Sequence, residues 1–188
     1  MRWEGLFEDL EGQWRAEERR ERDAEVADRT RAERAKVLLV ERFAGRLGHP
    51  LALTLTGGDA ISGTLNDLGA DWLLLTDSAG HEVIVGSGGI VAITGLGRSI
   101  GPAVTARRFT MGYALRALAR DRAAVILTDT AGGRVAGTID AVGRDWCDIS
   151  EHPVDEPRRP DQVRARRTVP TAAIVMVRSA GRGRVVPA

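Results

Sequence analysis

The sequence predicts an α+β chain: a long N-terminal helix followed by two tandem five-stranded small β-barrels, each preceded by a helix. Three observations carry this. A sixteen-residue pattern occurs twice, G-G-D-A-I-S-G-T-L-N-D-L-G-A-D-W from Gly57 to Trp72 and A-G-G-R-V-A-G-T-I-D-A-V-G-R-D-W from Ala131 to Trp146. The offset is constant, with Gly63, Gly69, Asp71 and Trp72 falling on Gly137, Gly143, Asp145 and Trp146, each 74 apart (137 − 63 = 74). Downstream, Ile90–Ile93 falls on Ile174–Val177 at an offset of 84, so the second copy carries ten extra residues (84 − 74 = 10). A fixed-period repeat of this length is the mark of a duplicated unit. Finally, hydrophobic periodicity changes from helical to alternating at Gly48-His49-Pro50.

Residues 5–47 read as helix. Trp3, Leu6, Phe7, Leu10 and Trp14 share one side at 3.6-residue periodicity. From Arg15 to Lys36 the chain mixes Glu, Asp, Arg and Ala, with opposite charges four apart such as Glu18–Arg22 and Glu25–Arg29. A second apolar side appears at Leu39, Val40, Phe43 and Leu47. This is either one continuous helix or a hairpin bent within the charged stretch. Strands follow around Leu51–Leu55, Ile61–Leu65, Trp72–Leu75, Glu82–Val85 and Ile90–Thr94, with tight turns at Gly57-Gly58 and Asp77–Gly80. Five short strands in so few residues require strong bending, and Gly63 stands where the long second strand must bend. Residues 102–122 are helical again, with Val104, Met111, Leu115 and Leu118 on one side. The second strand set runs from Val125 to about Val177 and holds an irregular proline-containing insertion over 152–167. The expected organisation is a charged helix over 1–48, a barrel over 49–97, a connecting helix over 98–122, a barrel over 123–180 and a flexible tail over 181–188.

Composition narrows the function. The chain has 188 residues, 43% of them hydrophobic, and a net charge of +1. Its single cysteine, Cys147, excludes an intramolecular disulfide and a cysteine-rich zinc site. That usage, with no apolar run of signal-peptide or membrane-spanning length, gives a cytoplasmic expectation with no membrane partner. Charge is unevenly placed. Residues 49–97 hold five acids and no Lys or Arg, a net −5, whereas 98–122 hold six arginines and one aspartate, a net +5. His49, His81 and His152 lie in turns, and neither a nucleophile elbow nor a phosphate-cradling glycine loop is present. The expectation is therefore no enzyme, no cofactor and no metal.

The segments L-T-G-G-D-A-I-S-G-T-L and L-T-D-T-A-G-G-R-V-A-G-T-I, each preceded by a helix, resemble the Sm-like fold of Sm and LSm proteins. The resemblance implies small barrels that assemble by pairing exposed strand edges. The uridine-binding motifs of that family do not carry over: Asp71 and Asp145 are followed by Trp72-Leu73 and Trp146-Cys147, and an Arg-Gly pair is missing before Ile90 and Ile174. The opening M-R-W-x-x-L-F-x-D-L-E resembles that of an actinobacterial family with no assigned role, sometimes labelled Fis-type regulators; no helix-turn-helix supports the label.

Two non-catalytic functions follow. The leading one is nucleic-acid association, RNA before DNA. It would use Arg158, Arg159, Arg164, Arg166 and Arg167 of the insertion with Phe109, Tyr113, Arg116 and Arg120 of the connecting helix, as phosphate contacts and stacking surfaces. The other is a protein adaptor or self-assembling homo-oligomeric scaffold, working through barrel edges and through Trp3, Leu6, Phe7, Leu10 and Trp14 as a partner-docking stripe. The repeated Asp-Trp pair reads either as a stacking platform with an acid beside it or as a turn aspartate with a packing tryptophan.

Overall fold

The computed structural model describes residues 2–101, 109–154 and 163–180, with residues 2–12 described by their backbone alone. The chain divides into two compact units, residues 1–38 and 39–188.

The first unit is α1 (Arg2–Ala35), continuous through the charged stretch, so no hairpin forms there. Its Ala, Glu and Arg content favours helix, and ion pairs line its surface: Glu18–Arg22, Asp28–Arg31, Glu25–Arg29 at 3.4 Å and Glu33–Lys36 at 2.7 Å. These pairs are exposed and each adds only a few tenths of a kcal/mol, about 0.3–0.5. The helix does not continue to residue 47. Lys36 and Val37 donate to Glu33 and Arg34 carbonyls at 3.2 Å, a tightened last turn, and helix resumes only as α2 (Leu39–Ala44). The interruption marks a change of requirement. The stretch before it is charged on every side, whereas α2 turns Val40, Phe43 and Ala44 into the core of the first repeat.

Among its described residues the second unit contains, after α2, ten strands and one further α-helix. The first repeat supplies β1 (Pro50–Leu55), β2 (Ala60–Leu68), β3 (Trp72–Asp77), β4 (Glu82–Gly86) and β5 (Ile90–Thr94). Then come α3 (Met111–Arg120), β6 (Ala124–Asp129), β7 (Arg134–Val142), β8 (Trp146–Glu151), β9 (Ala165–Pro170) and β10 (Ile174–Ser179). The repeats match in detail. A register shift interrupts the β2–β3 ladder between Leu65 and Asp67 and the β7–β8 ladder between Ile139 and Ala141. At the extra residue, Asn66 bonds the Thr76 hydroxyl and Asp140 accepts from the Ser150 hydroxyl. Such bulges bend and twist a long strand. Gly63 and Gly137 permit the bend because β3 and β8 pass directly against them: a methyl group there would stand 2.4 Å from the Thr76 oxygen and 2.0 Å from the Ser150 oxygen.

The expected pair of closed five-stranded barrels is not what forms. The strands make one open antiparallel sheet in the order β5-β1-β2-β3-β4-β10-β6-β7-β8-β9. Within each repeat the fifth strand does return to the first, but β4 pairs with β10 of the other repeat, not with β5. The cause lies in β3 and β4, which are apolar on both sides. Leu73, Leu75, Val83 and Val85 fill the first core, while Trp72, Leu74 and Ile84 join Met111, Leu115, Ile139 and Val177 in the second. Strands apolar on both faces require cover on both, and the second repeat provides it. The α+β composition stands. The closure was wrong.

Candidate functional site

The joint between the repeats is the most elaborated surface of the second unit. Its ladder pairs Val85 with Met176, Ile84 with Val177 and Val83 with Arg178. Two glycines allow close approach: a methyl on Gly86 would lie 2.8 Å from the Ile174 carbonyl oxygen, and one on Gly89 would lie 3.0 Å from a Val175 methyl. Arg178 reaches Asp77 at 3.6 Å. Asp77 also accepts from the backbone N–H groups of Ala79 and His81, each at 2.9 Å. Burial pushes its carboxyl up, but those donors, the His81 ring and the Arg178 guanidinium outweigh it and hold the group below its ordinary value.

Beside the ladder, the repeated Asp-Trp pair grips the chain leading into α3. The Trp72 Nε1–H donates to the Phe109 carbonyl at 3.0 Å, and Ala70 N–H donates to the same oxygen at 2.9 Å. Asp71 Oδ1 accepts the Met111 N–H at 2.6 Å, satisfying a first-turn donor of α3. Trp72 lies over Gly69, where a methyl would meet its ring at 2.1 Å. In the first repeat the pair is thus a packing and capping device, and its indole is 8% exposed.

The second repeat keeps the device, but among the described residues no bond to an occupant corresponding to Phe109–Met111 is made. Trp146 lies over Gly143 in the same way, and Asp145 keeps the backbone bond that Asp71 makes: Thr171 N–H donates to the Asp145 carbonyl as Ser87 N–H does to Asp71. Yet Trp146 is 38% exposed. Asp145, Trp146, Asp148, Thr168 and Pro170 line a shallow depression there, and Thr168 donates to Asp148 at 2.6 Å.

The described arginines and aromatics chosen from sequence fall in two separate stretches, 109–120 and 164–167. Phe109, just before α3, stacks on Tyr113 of α3 with ring centres 4.2 Å apart and planes at 22°, both partly exposed. Arg116 donates to the Gly143 carbonyl at 2.9 Å, and Arg120 is exposed in the last turn. Arg164, just before β9, and Arg166 on β9 are exposed, whereas Arg167 of β9 is ion-paired with Glu151. Arg158 and Arg159 lie outside the described residues, as do the side chains of Trp3, Leu6, Phe7 and Leu10. Trp14, the remaining member of that stripe, is 76% exposed on α1.

Two features escaped the sequence reading. One is the β4–β10 ladder, whose signal was the unbroken apolar runs Leu73–Leu75 and Val83–Val85 where a half-buried strand would alternate. The other is His152, buried with Nδ1 donating to the Pro153 carbonyl and Nε2 against the Thr138 hydroxyl, each at 2.7 Å. Among the described residues, no three His, Cys, Asp or Glu side chains cluster as a metal site, and no helix is long and apolar enough to cross a membrane. No protein-family model matches the chain, and no curated protein matches it at a significant level.

Proposed function

We propose that the chain is a non-catalytic, self-assembling scaffold in which tandem repeats pair their strand edges with those of further copies. One comparison carries the reading. Val175 on β10 is fully buried at the joint, whereas its repeat counterpart on β5, Val91, is 66% exposed. The same inequality runs through the other end: Ile84, Val85 and Gly86 are buried, and their counterparts Thr168, Val169 and Pro170 are exposed or half-buried. Among the described residues, each surface that one repeat satisfies with the other is therefore matched by an exposed or half-buried surface at an end of the sheet. An edge strand with unpaired backbone groups is a template for another strand.

The internal ladder supplies the expected register. Applying the offset of 84, β9 of one copy meets β5 of the next with Val169 against Ala92, Thr168 against Ile93 and Arg167 against Thr94 (85 + 84 = 169; 176 − 84 = 92). Sedimentation of the full chain tests this. The wild type is expected to associate, and Val91→Asp, a change on an exposed edge, is expected to dissociate it without unfolding it. A monomeric wild type, or an unchanged Val91→Asp, overturns the reading.

A second reading, association with nucleic acid, is favoured by the stacked Phe109–Tyr113 pair and by exposed Arg164 and Arg166. Anisotropy of labelled single-stranded RNA and duplex DNA against salt tests it. Arg164→Ala with Arg166→Ala is expected to reduce the salt slope by about one for each phosphate that is no longer neutralised. Absence of salt-sensitive binding by the wild type removes this reading.

A further inference from the structure

We propose that the open Asp145–Trp146 site holds the backbone of residues 35–37 from a second copy of this chain. The inference rests on the scaffold reading and adds to it a specific docking site beside the paired strands.

The first repeat shows what the site takes. Its occupant is Phe109–Met111, the segment that leads into the helix before the second repeat. The offset of 74 carries Phe109, Thr110 and Met111 onto Ala35, Lys36 and Val37, and it still holds downstream, where β6 and β1 begin at residues 124 and 50. Both segments lead into a helix that packs on the repeat following it. Ala114, Ala117 and Leu118 of α3 become Val40, Phe43 and Ala44 of α2, each buried or packed against its core. At that offset Lys36 and Thr110 are both non-helical, each beside a helix end, Ala35 closing α1 and Met111 opening α3.

The recognition asks for one carbonyl and, two residues on, one N–H. Trp146 Nε1–H and Arg144 N–H take the Ala35 carbonyl as Trp72 and Ala70 take that of Phe109, and Asp145 accepts from Val37 as Asp71 accepts from Met111. Docking gives up the Val37 bond to Arg34, which is long at 3.2 Å, for one to a charged acceptor, a stronger type.

Differences between the two sites compensate. Met111 reaches Gly86 so closely that a methyl there would stand 3.3 Å from its terminal carbon. Pro170 replaces that glycine, and Val37 replaces that methionine, so added bulk on one side meets reduced bulk on the other. Asp148 replaces Leu74 in the second site, and Lys36, the only lysine of the chain, replaces Thr110 in the segment. An added acid is answered by an added base. The donor is a second copy because the scaffold reading pairs β9, which borders the site, with β5 of the next copy, and residues 35–37 introduce the repeat to which that β5 belongs.

The test uses the full chain with a photoreactive benzoylphenylalanine in place of Trp146, mixed with isotopically heavy chain and irradiated. The expected product links heavy to light chain through the tryptic peptide Val37–Arg42 or its uncleaved extension from Ala35. In parallel, Asp145→Ala and Trp146→Ala, both at exposed positions, are expected to raise the dissociation constant of the assembly about tenfold, the range of a central aromatic side chain. If the wild type associates but the variants associate equally, or the cross-link falls within one chain, on residues 155–162 or 181–188, this site assignment is overturned while the scaffold reading stands. If the wild type is monomeric, both fall.

Discussion

Alanine at Gly137 tests the bend that both repeats share. The added methyl would lie 2.0 Å from the Ser150 carbonyl oxygen and 2.8 Å from its carbon, where ordinary contact begins near 3.4 Å. Strands β7 and β8 must therefore separate locally by about 1.4 Å (3.4 − 2.0). Both sides of the clash are backbone, so no rotamer change relieves it. A separation of that size takes the ladder bonds around the Thr138–Ser150 pair beyond bonding range. Two such bonds at about 0.5–1.5 kcal/mol each, with overpacking strain of about 1–3 kcal/mol, give a loss of roughly 2–6 kcal/mol. Against a typical total of about 5–15 kcal/mol this is severe, and at about 2–4 °C per kcal/mol it lowers Tm by about 4–24 °C. Thermal melting followed by circular dichroism measures it. Gly88→Ala is the control, because a methyl there meets nothing within 4 Å, and it is expected within about 0.5 kcal/mol of wild type. Gly63→Ala, with its nearest oxygen at 2.4 Å, is expected to fall in the same direction by less. If Gly137→Ala melts with the Gly88→Ala control, crowding is not why glycine stands at the bend.

Two further predictions concern pH and reactivity. Asp77 has a folded pKa below its ordinary 3.8, so its contribution to stability is present above that value and lost as pH falls through the folded one. Denaturant midpoints measured from about pH 6 to about pH 3 are expected to fall less steeply for Asp77→Asn than for wild type. Burial first, and the Asp148 charge second, push the Cys147 thiol up to about 11 from 9.0. Because the unfolded thiol ionises first, stability declines as pH rises from about 9 toward 11, and Cys147→Ala is expected to remove that part of the alkaline loss. The same buried thiol is expected to alkylate with iodoacetamide far more slowly in native than in unfolded protein.

Much of the fold was legible because it is local and stated twice. The strand pattern, the Gly57-Gly58 turn, with φ of +91° and +87°, and the bends at Gly63 and Gly137 all follow from residues near each other in sequence. Closure was not legible in that way. Whether β4 pairs with β5 or with β10 depends on what covers the outer sides of Leu74 and Ile84, and those residues sit far from α3 and β10 in sequence. Polar Asp148 and Thr168 at the matching positions carried the clue, since they mark a strand pair with only one covered side. The Asp-Trp pair shows a second limit. The same tryptophan is buried in one repeat and open in the other, with an exposed aspartate beside it in both, so neither a packing nor a binding reading of the motif could hold for both.

The two open ends also differ in a way that gives assembly a direction. β5 reads Ile-Val-Ala-Ile-Thr, an apolar edge, whereas β9 carries Arg166, Arg167 and Pro170, residues that discourage indiscriminate edge pairing. Two β9 edges brought together would gather four arginines, two from each, at one seam, which like charges oppose. Two β5 edges would join without any counterpart of the Asp-Trp grip, because Asp71 and Trp72 are already engaged with α3. Of these pairings, β9 against β5 alone combines an edge that no described strand covers on each side with the Asp145–Trp146 site and a segment shaped for it. Head-to-tail growth is therefore the arrangement these residues favour, and in a mixture of Val91→Asp and Trp146→Ala chains it predicts that the one intact junction forms first, so that mixed dimers accumulate at concentrations too low for Trp146→Ala chains to join one another.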